Sequence, residues 1–394
     1  MSVMPLLDLS AVSKELSFML ELLRNEGELS EEKAMREADG LDWEQFLAFK
    51  RYHHTYPIMY PRLLRWNSHR HWIPAFVLAE LKADYSSNTF VMLHLAGEMN
   101  RVSSALAERE IKALTLKGPV LASLLYGELS GRTSGDLDVL VPKDSVAAAE
   151  AALLAIGYRR NAAQDEVLGN KERKTHHLSF VNDHKGIEVE LHWRLNPDTI
   201  KEPAFEELWQ RRQGCALGPD AYTLGNEDLL VYLVLHGVRH GWSCLRWLLD
   251  IDRMLGKQLD WDAILRLFAR YEAVHLGGQA FLLANQLLGT KLPDAAAEMA
   301  SGSRPRRLAQ MALAFIREEV VLFPKPERQD VAISFNRYLL ATMPFRQKRL
   351  YVLNKLYPSS WDAQVLPLPK SLHFLYFPLR PFLWFWRQVK RQSI

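Results

Sequence analysis

A chain of 394 residues is long enough for two or three domains with a sizeable core. Its 48% hydrophobic and 24% charged residues lie close to the globular average, which excludes a disordered or fibrous protein. The net charge of +3 is uneven: from Arg346 to the C-terminus nine Lys or Arg residues stand against one acid, Asp362, so the basic character belongs to the tail and no nucleic-acid partner is expected.

Cys215 and Cys244 have neither CxxC nor metal-finger spacing, which predicts free thiols in a reducing compartment. The opening MSVMPLLDLSAVSKE lacks a basic stretch followed by an apolar core, and no uncharged apolar run approaches the ~18 residues of a spanning helix. A cytoplasmic location is expected.

Taken in chain order, residues 1–110 are expected to be helical. Leu16, Met19, Leu20 and Leu23 recur at helical spacing, and Trp43, Phe46 and Leu47 repeat it after Asp42, a predicted N-cap. Pro57 and Pro61 are expected to interrupt, and a long, mostly apolar stretch then runs from Phe76 to about Glu110. Residues 111–200 change texture. IKALTLK and DLDVLV (136–141) are predicted strands, with VLASLLYG as two helical turns between them. Asp144 is the expected cap of an Ala-rich helix that ends at Gly157, and THHLSFV (175–181) and IEVELHW (187–193) form a hairpin across NDHKG. The order β-α-β-α-β-β predicts a small mixed-sheet α/β core within an α+β chain. Residues 201–355 return to helix, with Asn226 and Ser243 as expected caps, and 356–394 form a basic, aromatic tail.

The loop and strand GRTSGDLDVLV carry the clearest chemical signal. Residues i and i+2 of a strand share a face, so Asp136 and Asp138 project together while Leu137 and Val139 point the other way. Paired carboxylates repel unless a cation lies between them, and a hard ion such as Mg²⁺ or Mn²⁺ suits such oxygen donors. Gly135 lets a ligand approach the backbone. In IEVELHW, Glu188, Glu190 and His192 alternate with apolar residues; a neighbouring position would let Glu190 complete a three-carboxylate site, with an ordinary charged strand edge as the alternative. His236 and His240 share a helix face and with Asp250 offer either a second metal site or an acceptor pocket, against ordinary interdomain hydrogen bonding. Trp193, Trp242 and Trp247 are expected in the core or at an interface.

The blocks LKGPVLASLLYG, GRTSGDLDVLV, LLAIGY, IEVELHWRL and LVLHGVRHGWSCLRWLLDID together resemble the uncharacterised bacterial nucleotidyltransferase-like family, within the nucleotidyltransferase superfamily of polymerase-beta type. The resemblance spans roughly residues 45–260. It implies that Asp136, Asp138 and Glu190 bind divalent metal and orient a nucleoside triphosphate, with ATP the expected nucleotide, for attack on its α-phosphate. It also implies an acceptor hydroxyl or phosphate on a sugar, lipid-linked or peptide molecule, in polysaccharide or peptide modification. His192, His236, His240 and Asp250 are the implied acceptor-side residues. Where the superfamily carries a Gly-Ser pair, this chain has Lys117-Gly118-Pro119, so Lys117, Gly118, Arg132, Ser134 and Gly135 become the candidate nucleotide-binding residues. The alternatives are a catalytically silent nucleotide-binding or scaffold protein of the same fold, and an antitoxin-like protein-modifying enzyme.

The tail combines Phe374, Tyr376, Phe377, Phe382, Trp384, Phe385 and Trp386 with basic residues and, after Asp362, no acid. That composition suits peripheral contact with the inner face of a membrane, or equally packing against the helical region or a partner chain.

Overall fold

Local sequence starts most of the N-terminal helices in the computed structural model, which describes residues 5–24, 30–161, 176–196, 201–322, 326, 328–349 and 366–391. The Ser13 and Asp42 side chains accept hydrogen bonds from the N–H groups of Leu16 (3.1 Å) and Gln45 (3.0 Å), capping helices Lys14–Leu23 and Trp43–His53. Pro57 and Pro61 do not interrupt this region; both lie in one helix, Tyr56–Arg70. Pro57 sits in the first turn, where its missing N–H would be unpaired anyway, and only Pro61 removes an internal bond. Helix Ala75–Ala107 has 33 residues and so runs about 50 Å.

The α/β part is one five-stranded sheet: β1 (Leu114–Thr115), β2 (Asp136–Leu140), β3 (Arg159–Arg160), β4 (His177–Asn182) and β5 (Ile187–His192), in spatial order β1-β2-β5-β4-β3. Only β2 and β5 run parallel; the other pairs are antiparallel, which makes the sheet mixed and the chain α+β, as expected. β1 is shorter than the alternating heptapeptide suggested, and β3 was not foreseen because two residues carry no periodic signal. Gly118, at φ +78°, turns the chain out of β1. A Cβ there would stand 3.3 Å from the Asp136 carbonyl oxygen, so this loop lies close on β2 only with glycine.

Three later helices begin beside the expected cap rather than on it. Ser145, Gly225 and Cys244 precede Val146–Ala155, Asn226–Arg239 and Leu245–Leu255, in place of Asp144, Asn226 and Ser243, and none makes a side-chain cap bond. The Ser243 hydroxyl instead donates to the His240 carbonyl at 3.2 Å. The first N–H of the third helix donates to His53 Nδ1 at 3.3 Å, so a tertiary contact replaces the local cap. The N-terminal helices reach the C-terminal ones through Asp8 N–H to Gln310 Oε1 and the Tyr52 hydroxyl to the Val320 carbonyl, both 2.9 Å.

Candidate active site

Alternation in β2 and β5 decides which side chains meet. Leu137, Val139, Val189 and Leu191 are buried on the apolar face. The parallel register sets Asp136 beside Glu188 and Asp138 beside Glu190, so the carboxylates of both strands project from the opposite face. Antiparallel β4 adds His177 across from His192 and Ser179 across from Glu190. The Ser179 hydroxyl donates to Glu188.

Asp138 is the fully buried centre of this face. Lys117 Nζ lies 3.2 Å from its Oδ2, and His192 Nε2 lies 3.0 Å from its Oδ1 and 3.2 Å from Glu190 Oε2. Burial alone would raise the Asp138 carboxyl, but the Lys117 charge and the His192 bond outweigh it and hold the group well below the usual carboxylate range. Burial works against a charged His192, yet its bonds to Asp138 and Glu190 lift the imidazole above its ordinary value. Asp136 behaves oppositely: burial, then the Asp138 charge, raise it. It is the carboxylate that the surrounding cations compensate least.

Helix Asn226–Arg239 and the residues after it close the other side. Lys117, Arg132, Ser134, Asp136, Asp138, Glu190, His192, His236 and His240 all line a single cavity of about 290 Å³. The sequence-predicted Gly118, Gly135 and Asp250 are not among its lining residues. Asp250 is fully buried and bound by Arg132 and by the Tyr126 hydroxyl (2.9 Å), so it does not join His236 and His240. Arg132 reaches the cavity wall with its guanidinium already committed to Asp250 and to the Thr133 carbonyl, which makes it a clamp of the wall more than a free phosphate donor.

Among the described residues, one ligand atom each from Asp138, Glu190 and His192 lies within 4.8 Å of the others. The expected trio of Asp136, Asp138 and Glu190 is therefore assembled with a difference: Asp136 lines the same cavity, but His192 takes the third place in the close group. Sequence reasoning also missed His176, His177, Tyr232, Arg239 and Arg246, which share the cavity. The HH doublet opening β4, and the two arginines flanking HGWSCL, were the available signals. Trp247, expected in the core or at an interface, lines the cavity and packs its ring 5.6 Å and 4.9 Å from those of His236 and His240. Burial first, then the Lys117 charge, keep both imidazoles neutral, His240 pushed down to about 3.

A family model described as an uncharacterised nucleotidyltransferase matches residues 39–289, well over half of the chain and all of the cavity described above. The chain belongs to this uncharacterised nucleotidyltransferase family. It is accordingly a transferase whose general reaction is transfer of a nucleoside monophosphate. No curated protein matches it. In this family member the matched span runs from just before helix Trp43–His53 through β1–β5 to helix Val274–Leu288, and so includes both walls of the cavity.

Proposed function

We propose that this nucleotidyltransferase takes a nucleoside monophosphate from a nucleoside triphosphate, with ATP the expected donor, and passes it to a hydroxyl or phosphate of a sugar, lipid-linked or peptide acceptor. The observation that carries this reading is the β2–β5 register, which sets Asp138 beside Glu190 and brings Asp136 into the same cavity as Lys117, Arg239 and Arg246.

The donor set fits a hard divalent cation: Asp138 and Glu190 offer carboxylate oxygens close together, and Asp136 adds a third along the same wall. Asp138 and Glu190, with Asp136, would hold Mg²⁺ or Mn²⁺. A cation there neutralises charge on the reacting and leaving phosphate oxygens. Lys117 is placed to meet the phosphate chain as a point charge, with Arg239 and Arg246 on the facing helices to bind it from the other side. His192 fixes the Asp138 carboxylate through its 3.0 Å bond. Neutral His236 and His240 beside Trp247 form the less charged end of the cavity, suited to the acceptor.

The catalytically silent alternative is favoured by one contact: Lys117 Nζ lies 3.2 Å from Asp138 Oδ2 and compensates it, at the turn where the superfamily has Gly-Ser. Calorimetry with each nucleoside triphosphate plus Mg²⁺ distinguishes the two. Asp136→Asn with Asp138→Asn should abolish metal-supported binding while the far-ultraviolet spectrum stays the same. Equal affinity in parent and variant would remove the carboxylates from the function. The tail is proposed to hold the enzyme peripherally on an anionic membrane, near a lipid-linked acceptor.

A further inference from the structure

Three histidines stand next to the carboxylate group, and the nucleotidyl-transfer reading gives two of them no task. His176 and His177 are consecutive at the start of β4, and sheet register sets His177 across from His192. The Trp193 N–H donates to the His176 carbonyl at 3.0 Å, which fixes the backbone on the same side. The three rings lie with centroids 4.6 Å, 5.2 Å and 5.0 Å apart, and one ring nitrogen from each falls within 4.8 Å of the other two. His176 and His192 are more than nine-tenths buried. The Nδ1 atoms of His177 and His192 are buried with no hydrogen-bond partner. Buried imidazole nitrogens that no protein group meets are costly, and water or a ligand in the cavity must satisfy them.

We propose that His176, His177 and His192 bind one borderline-soft divalent ion of the zinc class, distinct from the hard ion suited to the neighbouring carboxylates. The chemistry of the donors sorts the two: imidazole selects Zn²⁺, Co²⁺ or Ni²⁺, and carboxylates select Mg²⁺ or Mn²⁺. His192 stands between the two groups. Its Nε2 faces Asp138 and Glu190 while its Nδ1 is unpartnered, the arrangement in which a carboxylate orients a ligating imidazole and raises its basicity. An ion with bonds of ~2.0–2.1 Å draws its ligand nitrogens to separations of roughly 3.3 Å, within about 1.5 Å of the present upper spacing of 4.8 Å.

One group competes for the site. Arg239 Nη1 lies 3.1 Å from His176 Nε2, and because arginine can only donate, that nitrogen carries a lone pair. An ion taking that lone pair displaces Arg239 into the cavity it already lines.

The test uses the full chain, stripped of metal by a chelator and titrated with Co²⁺, read by visible absorption and by calorimetry. One Co²⁺ per chain should bind with the intense bands of a four- or five-coordinate nitrogen site, and Zn²⁺ should bleach them. His176→Gln and His177→Gln should each weaken binding by about tenfold or more. Asp183→Asn, at an exposed carboxylate outside both groups, should leave it unchanged. Arg239→Ala removes the competitor and should tighten binding, and it keeps the proposal testable if a histidine variant folds poorly. Weak, octahedral-type absorption in the parent, parent-like affinity in both histidine variants, or weaker binding in Arg239→Ala would each overturn it. Binding of Mg²⁺ with nucleoside triphosphate to His177→Gln, measured alongside, separates failure of this site from failure of the nucleotidyl-transfer reading.

Discussion

Arg132 forks onto Asp250, with Nε 2.9 Å from Oδ1 and Nη2 2.9 Å from Oδ2, and both groups are buried. The pair ties the loop ahead of β2 to helix Leu245–Leu255, and so fixes the distance between the carboxylate wall and the helical wall of the cavity. Removing one partner leaves the other as an uncompensated buried charge, which costs about 3–5 kcal/mol. Arg132→Ala and Asp250→Ala should each lower the free energy of urea unfolding by that amount. A double variant, Arg132→Met with Asp250→Leu, should recover most of the loss. A single variant as stable as the parent would show that the bridge does not hold the walls together.

Acid should destabilise the protein through its buried histidines, and His53 is the clearest of them. It is fully buried, its Nδ1 accepts from the Leu245 N–H, and burial together with neighbouring His54 pushes its imidazole down to about 3. In the unfolded chain the same group takes a proton near pH ~6.5. The unfolded state therefore holds more protons below that pH, and the stabilisation present above it is lost as pH falls towards 3. Each such histidine contributes a slope of up to about 1.4 kcal/mol per pH unit. Urea unfolding between about pH 7 and pH 4.5 should show a shallower fall, by about one proton, in His53→Asn, which keeps an acceptor for Leu245. An unchanged slope would assign the acid sensitivity elsewhere.

Lys117 is expected to act on phosphate rather than on the base or sugar. Lys117→Ala should weaken binding of the triphosphate by roughly 10- to 100-fold, the worth of about 1.5–3 kcal/mol for a hydrogen bond to a charged group. The monophosphate should lose much less. The same variant leaves Asp138 with His192 as its near cation, so a lower melting temperature is expected as well. Equal losses for tri- and monophosphate in calorimetry would place Lys117 outside the phosphate site.

The acidic face was legible because strand alternation is a local property. Asp136, Asp138 and Glu190 could be assigned to faces from β2 and β5 alone, and their meeting then needed only that the two strands be neighbours. The third member of the close group was harder to see. His192 lies at the far end of β5, and its approach to Asp138 depends on a parallel register that no residue in either strand announces. Asp250 was misplaced for a related reason. It was grouped with His236 and His240 as a nearby carboxylate, but Arg132, 118 residues away, takes it up. The helix starts at 226 and 245 differ from the expected caps because Gly225 packs on the Arg211 carbonyl while Asn226 Oδ1 accepts from Gln213 Nε2, and because the His53 ring takes the Leu245 N–H in place of Ser243. Contacts made across the fold decide such positions, and neither composition nor periodicity carries them.

The last prediction concerns the tail. Its helix Tyr376–Arg391 continues through Pro378 and Pro381, and among the described residues no helix is long and apolar enough to cross a membrane. Tyr376 turns inward, its hydroxyl donating to the Leu366 carbonyl at 2.7 Å and accepting from the Leu368 N–H at 2.9 Å. Phe374, Phe382 and Trp386 do the opposite, at 63%, 73% and 61% exposure. With Pro378 they recur at every fourth position, which on a helix makes one apolar stripe. Beyond Asp362 the sequence has only basic charges, among them Arg387, Lys390 and Arg391, and each basic group near an anionic surface contributes about 1 kcal/mol. Aromatic insertion should therefore add to an electrostatic attraction that salt screens. Co-sedimentation of the full chain with anionic vesicles should fall sharply in Phe382→Ser with Trp386→Ser, and neutral vesicles should recover little of either protein. Because both side chains are exposed, the double variant should melt at the parent's temperature. Equal recovery of parent and variant in the supernatant, at low salt and with anionic vesicles, would assign the stripe to a protein partner instead of a membrane.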